Sequence, residues 1–431
     1  MTLRLPRTVP PVARALRSRN YRLFFGGQTV SLIGTWITRV ATAWLVYRLT
    51  GSALMLGVVG FSGQIPMLIL APFTGVLVDR WNQHRILMVT QAASMLQSAA
   101  LAVLALSHVI TVGDIIALQV LQGMINSFDT PTRQAFVVKM VDHRRDLSNA
   151  IAMNSMMVNG ARIIGPSIGG VLIALVGEGW CFTLDAVSYL AVIGSLLAMH
   201  VHPASARAVR TRMLDELRDG LRYVVRFVPV RSLLLVIALV AATGMPYQVL
   251  LPAIARDVLH GGAHTYGILM TSAGVGAVGG ALYLAARTSV TGLERVIAIA
   301  IAAFGAGLVA FSQSTVTWVS LAVLPVAGAG MMVAMASANT LLQTVVEERL
   351  RGRVMAFYTM AFLGTLPLGS LAAGIIASRI GASATVLLSG LACLAGGLAF
   401  GLWTPRFRAL VDPIYRAHDA GAPAAPEAAG G

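Results

Sequence analysis

Three charged side chains stand where charge is costly. Arg39, Arg162 and Asp185 each fall inside a long apolar stretch of the chain. An uncompensated charge near the middle of a membrane helix costs about 2.5–3.5 kcal/mol on insertion scales, so such residues are paired or put to use. We expect an Arg39–Asp185 or an Arg162–Asp185 pair. Either it fixes helix positions or it handles protons or substrate. Asp185, in "FTLDAVSYL", is the leading candidate to carry a proton. Around these charges, polar residues recur at steps of three and four. One set is Gln28, Ser31, Thr35, Thr38, Arg39 and Thr42; another is Gln119, Gln122, Asn126, Asp129 and Arg133. That spacing puts each set on one face of a helix. Asn154, Ser155, Asn159 and Arg162 form a third group. Later in the chain the polar signal thins to Tyr247 and Gln248, and Met331, Met332 and Met335 offer a flexible apolar surface. A cavity polar on one wall and apolar on the other suits an amphipathic organic solute. Its candidate lining residues are Gln28, Thr35, Arg39, Gln122, Asn126, Asn154, Arg162, Tyr247 and Gln248.

The elements that carry these residues must be membrane helices. The chain has 431 residues, 57% of them hydrophobic and 11% charged, against about 25% charged in a soluble protein. Apolar runs of about 18–25 residues, the length that crosses a bilayer, recur from end to end. About twelve are readable: 21–47, 53–78, 86–107, 110–128, 150–176, 180–199, 232–252, 265–286, 293–312, 316–338, 354–377 and 383–403. They are too long, and too apolar on both faces, for barrel strands. The expected fold is an all-α polytopic membrane protein.

Charge sets the orientation. The net charge of +15 comes from 32 Lys+Arg against 17 Asp+Glu. Arg4, Arg7, Arg14, Arg17 and Arg19 precede the first span. Arg207, Arg210, Arg212, Arg218, Arg222, Arg226 and Arg231 crowd the central loop, while Arg48, Arg256 and Arg379 fall in the opposite loops. This asymmetry is the positive-inside rule. It predicts both termini in the cytoplasm of a protein of the cell membrane, with lipid rather than nucleic acid as the partner of the basic surface. The first span is expected to be retained, since no short apolar region with a small-residue cleavage site is present. Cys181 and Cys393 lie in or beside separate spans and are expected to be packing residues, without disulfide, metal or cofactor.

Five segments follow: a basic N-terminus (1–20), a six-helix bundle (21–199), a cytoplasmic linker (200–231), a second six-helix bundle (232–403) and a disordered tail (404–431). Within the linker, "RTRMLDELRDGLRYVVRF" predicts an amphipathic helix on the membrane surface, with Met213, Leu214, Leu217, Leu221, Val224 and Val225 on one side. The two bundles echo each other. "GVLVDR" at Gly75 matches "GALYLAAR" at Gly280, "DTPTRQ" at Asp129 aligns with "NTLLQT" at Asn339, and "GPSIGG" at Gly165 matches "GSLAAG" at Gly369. Three matches in order indicate a duplicated six-helix unit, an architecture that transporters build around a midplane site.

With these motifs in place, residues 20–404 resemble the major facilitator superfamily of transporters. "RNYRLFFGGQTVSLIGTWITRVATAWLVYRLTGS", "PTRQAFVVKMVDHRRDLSNAIAMNS" and "ARIIGPSIGG" resemble its drug- and enterobactin-exporter-like branch. The resemblance implies twelve helices in two repeats, with the first, fourth, seventh and tenth lining the cavity. It also implies a gating loop, G-x-L-x-D-R-x-G-R-[KR]. Gly75, Leu77, Asp79 and Arg80 match this pattern; Asn82 and Gln83 depart from it, and Arg85 follows. Leu284 holds the place of Asp79 in the second half. Gly165, Pro166, Gly169 and Gly170 match the antiporter motif of drug exporters, which implies a leak-proof, pliable seam. Many proton-driven exporters carry an arginine where Gln119 stands here, so proton antiport rests on the family likeness.

The resulting expectation is a monomeric secondary exporter of amphipathic small molecules such as drugs, siderophores or secondary metabolites, with protons as the coupling ion. An importer or facilitator of the same fold is the alternative. A non-transporting sensor and a membrane-embedded enzyme are readings of another class, and the enzyme lacks a clustered acid–base set. No Walker A sequence is present to use ATP.

Overall fold

The computed structural model describes residues 11–199, 213–287 and 289–419, and every regular element among them is helical. Arg4, Arg7, Arg207, Arg210 and Arg212, with linker residues 200–212 and tail residues 420–431, lie outside the described residues. After a 3₁₀ segment, Pro11–Arg17, come α1 (Arg19–Thr50), α2 (Ala53–Arg80), α3 (Gln83–Leu106), α4 (Val112–Met140), α5 (Leu147–Val176), α6 (Glu178–Leu197), α7 (Met213–Arg226) and α8 (Val228–Leu239). The second half continues with α9 (Tyr247–Ala253), α10 (Ala263–Ala285), α11 (Leu293–Gln313), α12 (Thr317–Val345), α13 (Glu348–Thr359), α14 (Thr365–Ile380) and α15 (Ala382–Asp419).

Local chemistry explains the boundaries. Ser52 accepts from the Met55 amide at the start of α2, and Asn82 accepts from the Arg85 amide at the start of α3. Asn82, a departure from the family's loop pattern, is thus an N-cap. Thr111 and Asp114 form a reciprocal capping box on α4. Gly177 and Gly381 take φ of 84° and 88° at the turns α5–α6 and α14–α15, a left-handed region that favours glycine. They occupy corresponding places in the two repeats.

Eleven helical segments among the described residues are long and apolar enough to cross a membrane. The stretch expected at 110–128 falls on α4, whose 29 residues reach about 43 Å. Its polar stripe makes it less apolar than the other eleven. The seventh expected span is longer than its 232–252 reading. It runs over Val228–Val258, as α8 and α9 joined and ended by π-helical turns at Val240–Gly244 and Ile254–Val258.

The chain forms two compact units, Met1–Val209 with Leu251–Thr271, and Arg210–Leu250 with Ser272–Gly431. The main division falls within the expected linker, and Leu251–Thr271 packs with the first bundle. Tyr47 of α1 donates a short hydrogen bond to Asp257, Trp44 stacks on Tyr266 at 6.5 Å, and the Thr271 hydroxyl donates to the Ile163 carbonyl at 3.3 Å. At the other end of the first unit, Tyr21, Phe24, Leu87, Phe136, Met140, Met153 and Leu196 form a buried cluster. The Tyr21 hydroxyl donates to the Ala150 carbonyl at 2.8 Å.

In the second unit, α7 docks on α13. A Cβ on Gly220 would meet Phe357 and Arg353, and Val224 is buried while Leu221 and Val225 are exposed. The face expected to lie on the membrane is therefore divided between a helix partner and the outside. Burial, with the nearby charge of Glu347, pushes the Tyr223 phenol up to about 12, so it stays neutral at physiological pH.

The tail expected to be disordered from 404 is helical as far as Asp419. Phe407 and Val411 are fully buried there, and Phe400, Trp403 and Phe407 pack ring on ring. Their steps of three and four give the extension an apolar face that stabilises it.

Candidate functional site

The first unit carries a connected set of polar side chains on four helices. On α1, the expected stripe is split. Ser31, Thr38 and Thr42 are buried, as is Gln28, while Thr35 is half-buried and Arg39 is exposed. One edge of the stripe meets the bundle and the other meets open space. Gly34 permits this, since a Cβ there would strike the Ser188 hydroxyl and the Asp185 carboxylate of α6.

Asp185 is 1% exposed and accepts a hydrogen bond from Ser98 of α3 at 2.8 Å. It is in no ion pair with Arg39 or Arg162 among the described residues. The expected arginine–Asp185 pairing is thereby corrected. The α6 carboxylate turns towards α1 and α3, where a hydroxyl serves it. Arg39 instead lies over the Trp36 ring, 4.5 Å from its centroid, and Arg162 lies 5.9 Å from the same ring. Both cations lie near the one indole ring, a favourable contact for each.

On α4, Gln122 donates to Ser94 at 3.2 Å and to Asn126 at 3.1 Å; Gln122 and Asn126 are both half-buried. Asp129, one turn on, is buried. It accepts from Thr90 at 3.0 Å and from Gln91 at 2.7 Å, and Arg133 lies 3.7 Å away. Sequence reasoning passed over Thr90, Gln91, Ser94, Gln97 and Ser98 of α3. Their helical spacing carried the same signal as the stripes on α1 and α4. It also passed over Trp36, which apolar patterning treats as an ordinary span residue.

The glycine motif of α5 seats neighbouring helices. A Cβ on Gly165 would collide with Trp36, one on Gly169 would meet Ile37 at 3.3 Å, and one on Gly170 would meet Ala263 and Gly267 of α10 at 2.9 Å. Pro166 stands within the helix without ending it. In the second unit, Gly369 of the matching motif seats against Ala242. Each unit thus uses the same glycine of its fifth span to receive its first span. Gly75, Asp79 and Arg80 belong to the last two turns of α2, and Arg85 to the first turn of α3.

Of the second-half candidates, Tyr247 is 1% exposed and packs edge-on against Phe304 of α11 at 6.2 Å. It is a core residue rather than a lining one. Gln248, beside it, is half-buried, and Met331 and Met335 are buried. Asn154 is half-buried on α5, about two turns before Arg162. The arrangement brings Thr35, Arg39, Arg162, Gln122, Asn126 and Asp185 into one unit and leaves Tyr247 and Gln248 in the other. Both cysteines are free and buried.

Residues 11–413 match the family model described as transmembrane secretion effector. The chain is 26% identical to the staphyloferrin A transporter of Staphylococcus aureus, over 88% of this chain and 95% of the relative. It is 28% identical to the multidrug efflux pump Tap of Mycolicibacterium fortuitum, over 88% and 93%. Among solved structures it resembles the peptide transporter POT, with a TM-score of 0.72 at 12% identity, covering 94% of this chain and 100% of that one. These relatives are membrane transporters rather than enzymes. The chain belongs to the transmembrane secretion effector family of the major facilitator superfamily.

Proposed function

We propose that this protein is a secondary active exporter of amphipathic small organic molecules, working as a monomer by alternating access and coupled to protons. The observation that carries the reading is the polar wall of the first unit. Thr35, Arg39, Gln122 and Asn126 gather on α1 and α4 beside a buried carboxylate, Asp185, that a hydroxyl rather than a cation serves. A group of that kind can take up and release a proton without breaking an ion pair. The second unit, taken by itself, offers mostly apolar groups such as Met331 and Met335. Similarity to an efflux pump favours outward movement.

In this reading α4, the fourth span, brings the eleven other spans to a total of twelve, both termini face the cytoplasm, and the protein sits in the cell membrane. Cysteines near Glu178 or Arg379 should label from outside intact cells, and cysteines near His84 or Arg218 should not. The decisive experiment uses the full chain in proteoliposomes with an imposed pH gradient and a fluorescent amphipath. Accumulation against the probe's concentration gradient, abolished by a protonophore, is expected. Accumulation that ignores the pH gradient would exclude proton coupling, and no net movement at all would exclude the exporter reading.

A further inference from the structure

We infer that Tyr189 of α6 is the switch through which an occupied cavity expels the proton held by Asp185. This rests on the proton-coupled reading above and supplies a link between the polar wall and the buried acid.

The first step is a directed chain of hydrogen bonds. Tyr189 is 5% exposed. Its phenol oxygen lies 3.4 Å from the Thr35 hydroxyl of α1, and the Ser94 hydroxyl of α3 is a second polar neighbour. Ser94 in turn accepts from Gln122 of α4 at 3.2 Å. Counting donors sets the direction of each bond. Gln122 spends its two amide protons on Ser94 and Asn126. Ser94 is an acceptor there, so its own proton is available to the Tyr189 oxygen. Thr35 gives its single proton to the Ser31 carbonyl at 3.0 Å, so towards Thr35 the phenol is the donor. The chain runs Gln122, Ser94, Tyr189, Thr35, Ser31, and it joins four helices.

The second step is the place of this chain between the wall and the acid. Thr35 and Gln122 are half-buried members of the polar wall, so a substrate that binds either one takes a member out of the chain. The Tyr189–Thr35 link, at 3.4 Å, is well beyond the usual O–H···O distance of about 2.7–2.8 Å. It is the bond most easily exchanged. Asp185 stands one turn back on the same helix. Helical side chains lean towards the N-terminus, so Tyr189 leans over the Asp185 turn, and the two groups act on each other electrostatically. The Thr38 and Ser188 hydroxyls lie near the carboxylate. Its Oδ2 accepts from Ser98, while Oδ1 makes no hydrogen bond among the described residues. A phenol turned from Thr35 to Oδ1 favours the charged carboxylate. The carboxyl O–H bond then breaks and its proton passes to water, while the tyrosine keeps its own. Substrate and proton thereby exclude each other, as exchange of one for the other requires.

Few other charges reach this place. Asp129 of α4 acts on Tyr189 and is itself held by Thr90 and Gln91. Of the helices packed on α6, α1 brings Arg39, which lies over Trp36, with Arg19, Tyr21, Arg22, Tyr47 and Arg48 towards its two ends. From α5 comes Arg162, near the same indole, and α3 carries His84 and Arg85 in its first turn. On α6 itself, Glu178 pairs with Arg48 and Cys181 donates to the Gly177 carbonyl.

The test uses the full chain in nanodiscs with ethidium, a fluorescent amphipath whose charge is constant from mildly acidic to mildly alkaline pH. Affinity is measured across that range, and protons released on binding are read with an indicator dye in weak buffer. The wild-type protein should release protons and bind more tightly as pH rises through the titration of Asp185, by up to about tenfold per pH unit for one linked proton. Tyr189→Phe should keep its alkaline affinity within about threefold of the parent yet lose most of the pH dependence and most of the released protons. Ser94→Ala, one link earlier, should flatten the pH dependence in part, and Asp185→Asn should abolish it. A wild-type slope in Tyr189→Phe, whatever its melting temperature, would make Tyr189 a packing residue and overturn the inference. So would pH-independent binding by the wild type. Those outcomes concern the link between binding and protons. Loss of net movement in the pH-gradient experiment would instead remove the exporter reading, even with binding that depends on pH.

Discussion

Ser98 of α3 donates a 2.8 Å hydrogen bond to the Asp185 carboxylate of α6, and both side chains are about 1% exposed. If Asp185 couples transport to protons, Asp185→Asn keeps the shape and removes the titration. Uphill efflux should then be lost while downhill exchange of substrate continues. Ser98→Ala should keep coupling but change its pH profile, because the hydroxyl favours the charged form of its partner. Proteoliposome flux measured with and without a pH gradient separates the two. Persisting uphill transport in Asp185→Asn would assign the carboxylate to structure.

Gly165 and Gly160 lie little more than one turn apart on α5 with opposite surroundings. A Cβ on Gly165 would collide with Trp36, whereas one on Gly160 meets nothing within 4 Å. Gly165→Ala should therefore destabilise the protein by about 1–3 kcal/mol through overpacking. Gly160→Ala should be neutral or stabilise the helix by up to about 1 kcal/mol. Thermal unfolding of the purified proteins reads both. Equal melting temperatures for the two variants would mean that α1 and α5 do not need this close seat.

The spans were legible because burial in lipid demands long apolar runs, and the duplication was legible because three motifs recur in order. The structure adds two echoes below the reach of motif matching: the glycine turns at Gly177 and Gly381, and the seating of Gly165 and Gly369 against the first span of each unit. The site was only half legible. Periodicity marked the polar stripe on α1, but it cannot tell Thr38, which meets the bundle, from Arg39, which meets open space. Charge complementarity alone favoured an arginine–Asp185 pair; the hydroxyl of Ser98 and the indole of Trp36 took those roles, and neither is a charge. The helical extension past residue 404 was readable in Phe400, Phe407 and Val411, but the low-complexity end of the tail obscured it.

Tyr47 and Asp257 join α1 to the π-helical turn Ile254–Val258, with Arg256 5.9 Å from the Tyr47 ring. If the protein works by alternating access, Leu251–Thr271 leaves the first bundle in part of the cycle. Tyr47→Phe removes one hydrogen bond, worth about 0.6–2 kcal/mol in a membrane protein. Amide exchange across Leu251–Thr271 should then speed up about three- to thirtyfold. Unchanged protection there would show that this contact does not hold the segment.

Asp79 occupies the last turn of α2, where the helix's own partial negative charge disfavours an acid. We expect its stabilising partner to be a neighbouring helix start or a cation that is engaged in one state of the cycle. Asp79→Asn should leave expression near normal, lower turnover, and raise cytoplasmic-side cysteine reactivity. Leu284→Asn, at the corresponding place in the second repeat, should do much less. Equal effects of the two changes, or loss of folded protein with Asp79→Asn, would make this loop an assembly element rather than a gate.

Asp129 and Arg133 lie 3.7 Å apart on α4, and their repeat counterparts on α12, Asn339 and Gln343, make a neutral hydrogen bond of 3.0 Å at the same spacing. The two pairs differ in what surrounds them. Asp129 is buried and accepts from Thr90 and Gln91 of α3, so it ties two helices together. The Asn339–Gln343 bond is exposed and stays within one helix. Asp129→Ala leaves the buried Gln91 amide donor unpaired, while Thr90 keeps the Leu87 carbonyl as acceptor; the lost partner costs about 1–3 kcal/mol. Asn339→Ala removes only an exposed local contact and should fall within about 0.5 kcal/mol of the parent. Asp129→Asn keeps an acceptor for one donor and should lie between them. Unfolding midpoints that follow this order would make Asp129 a tie between α3 and α4. A well-folded Asp129→Ala protein that has lost transport would instead place its carboxylate in the transport pathway.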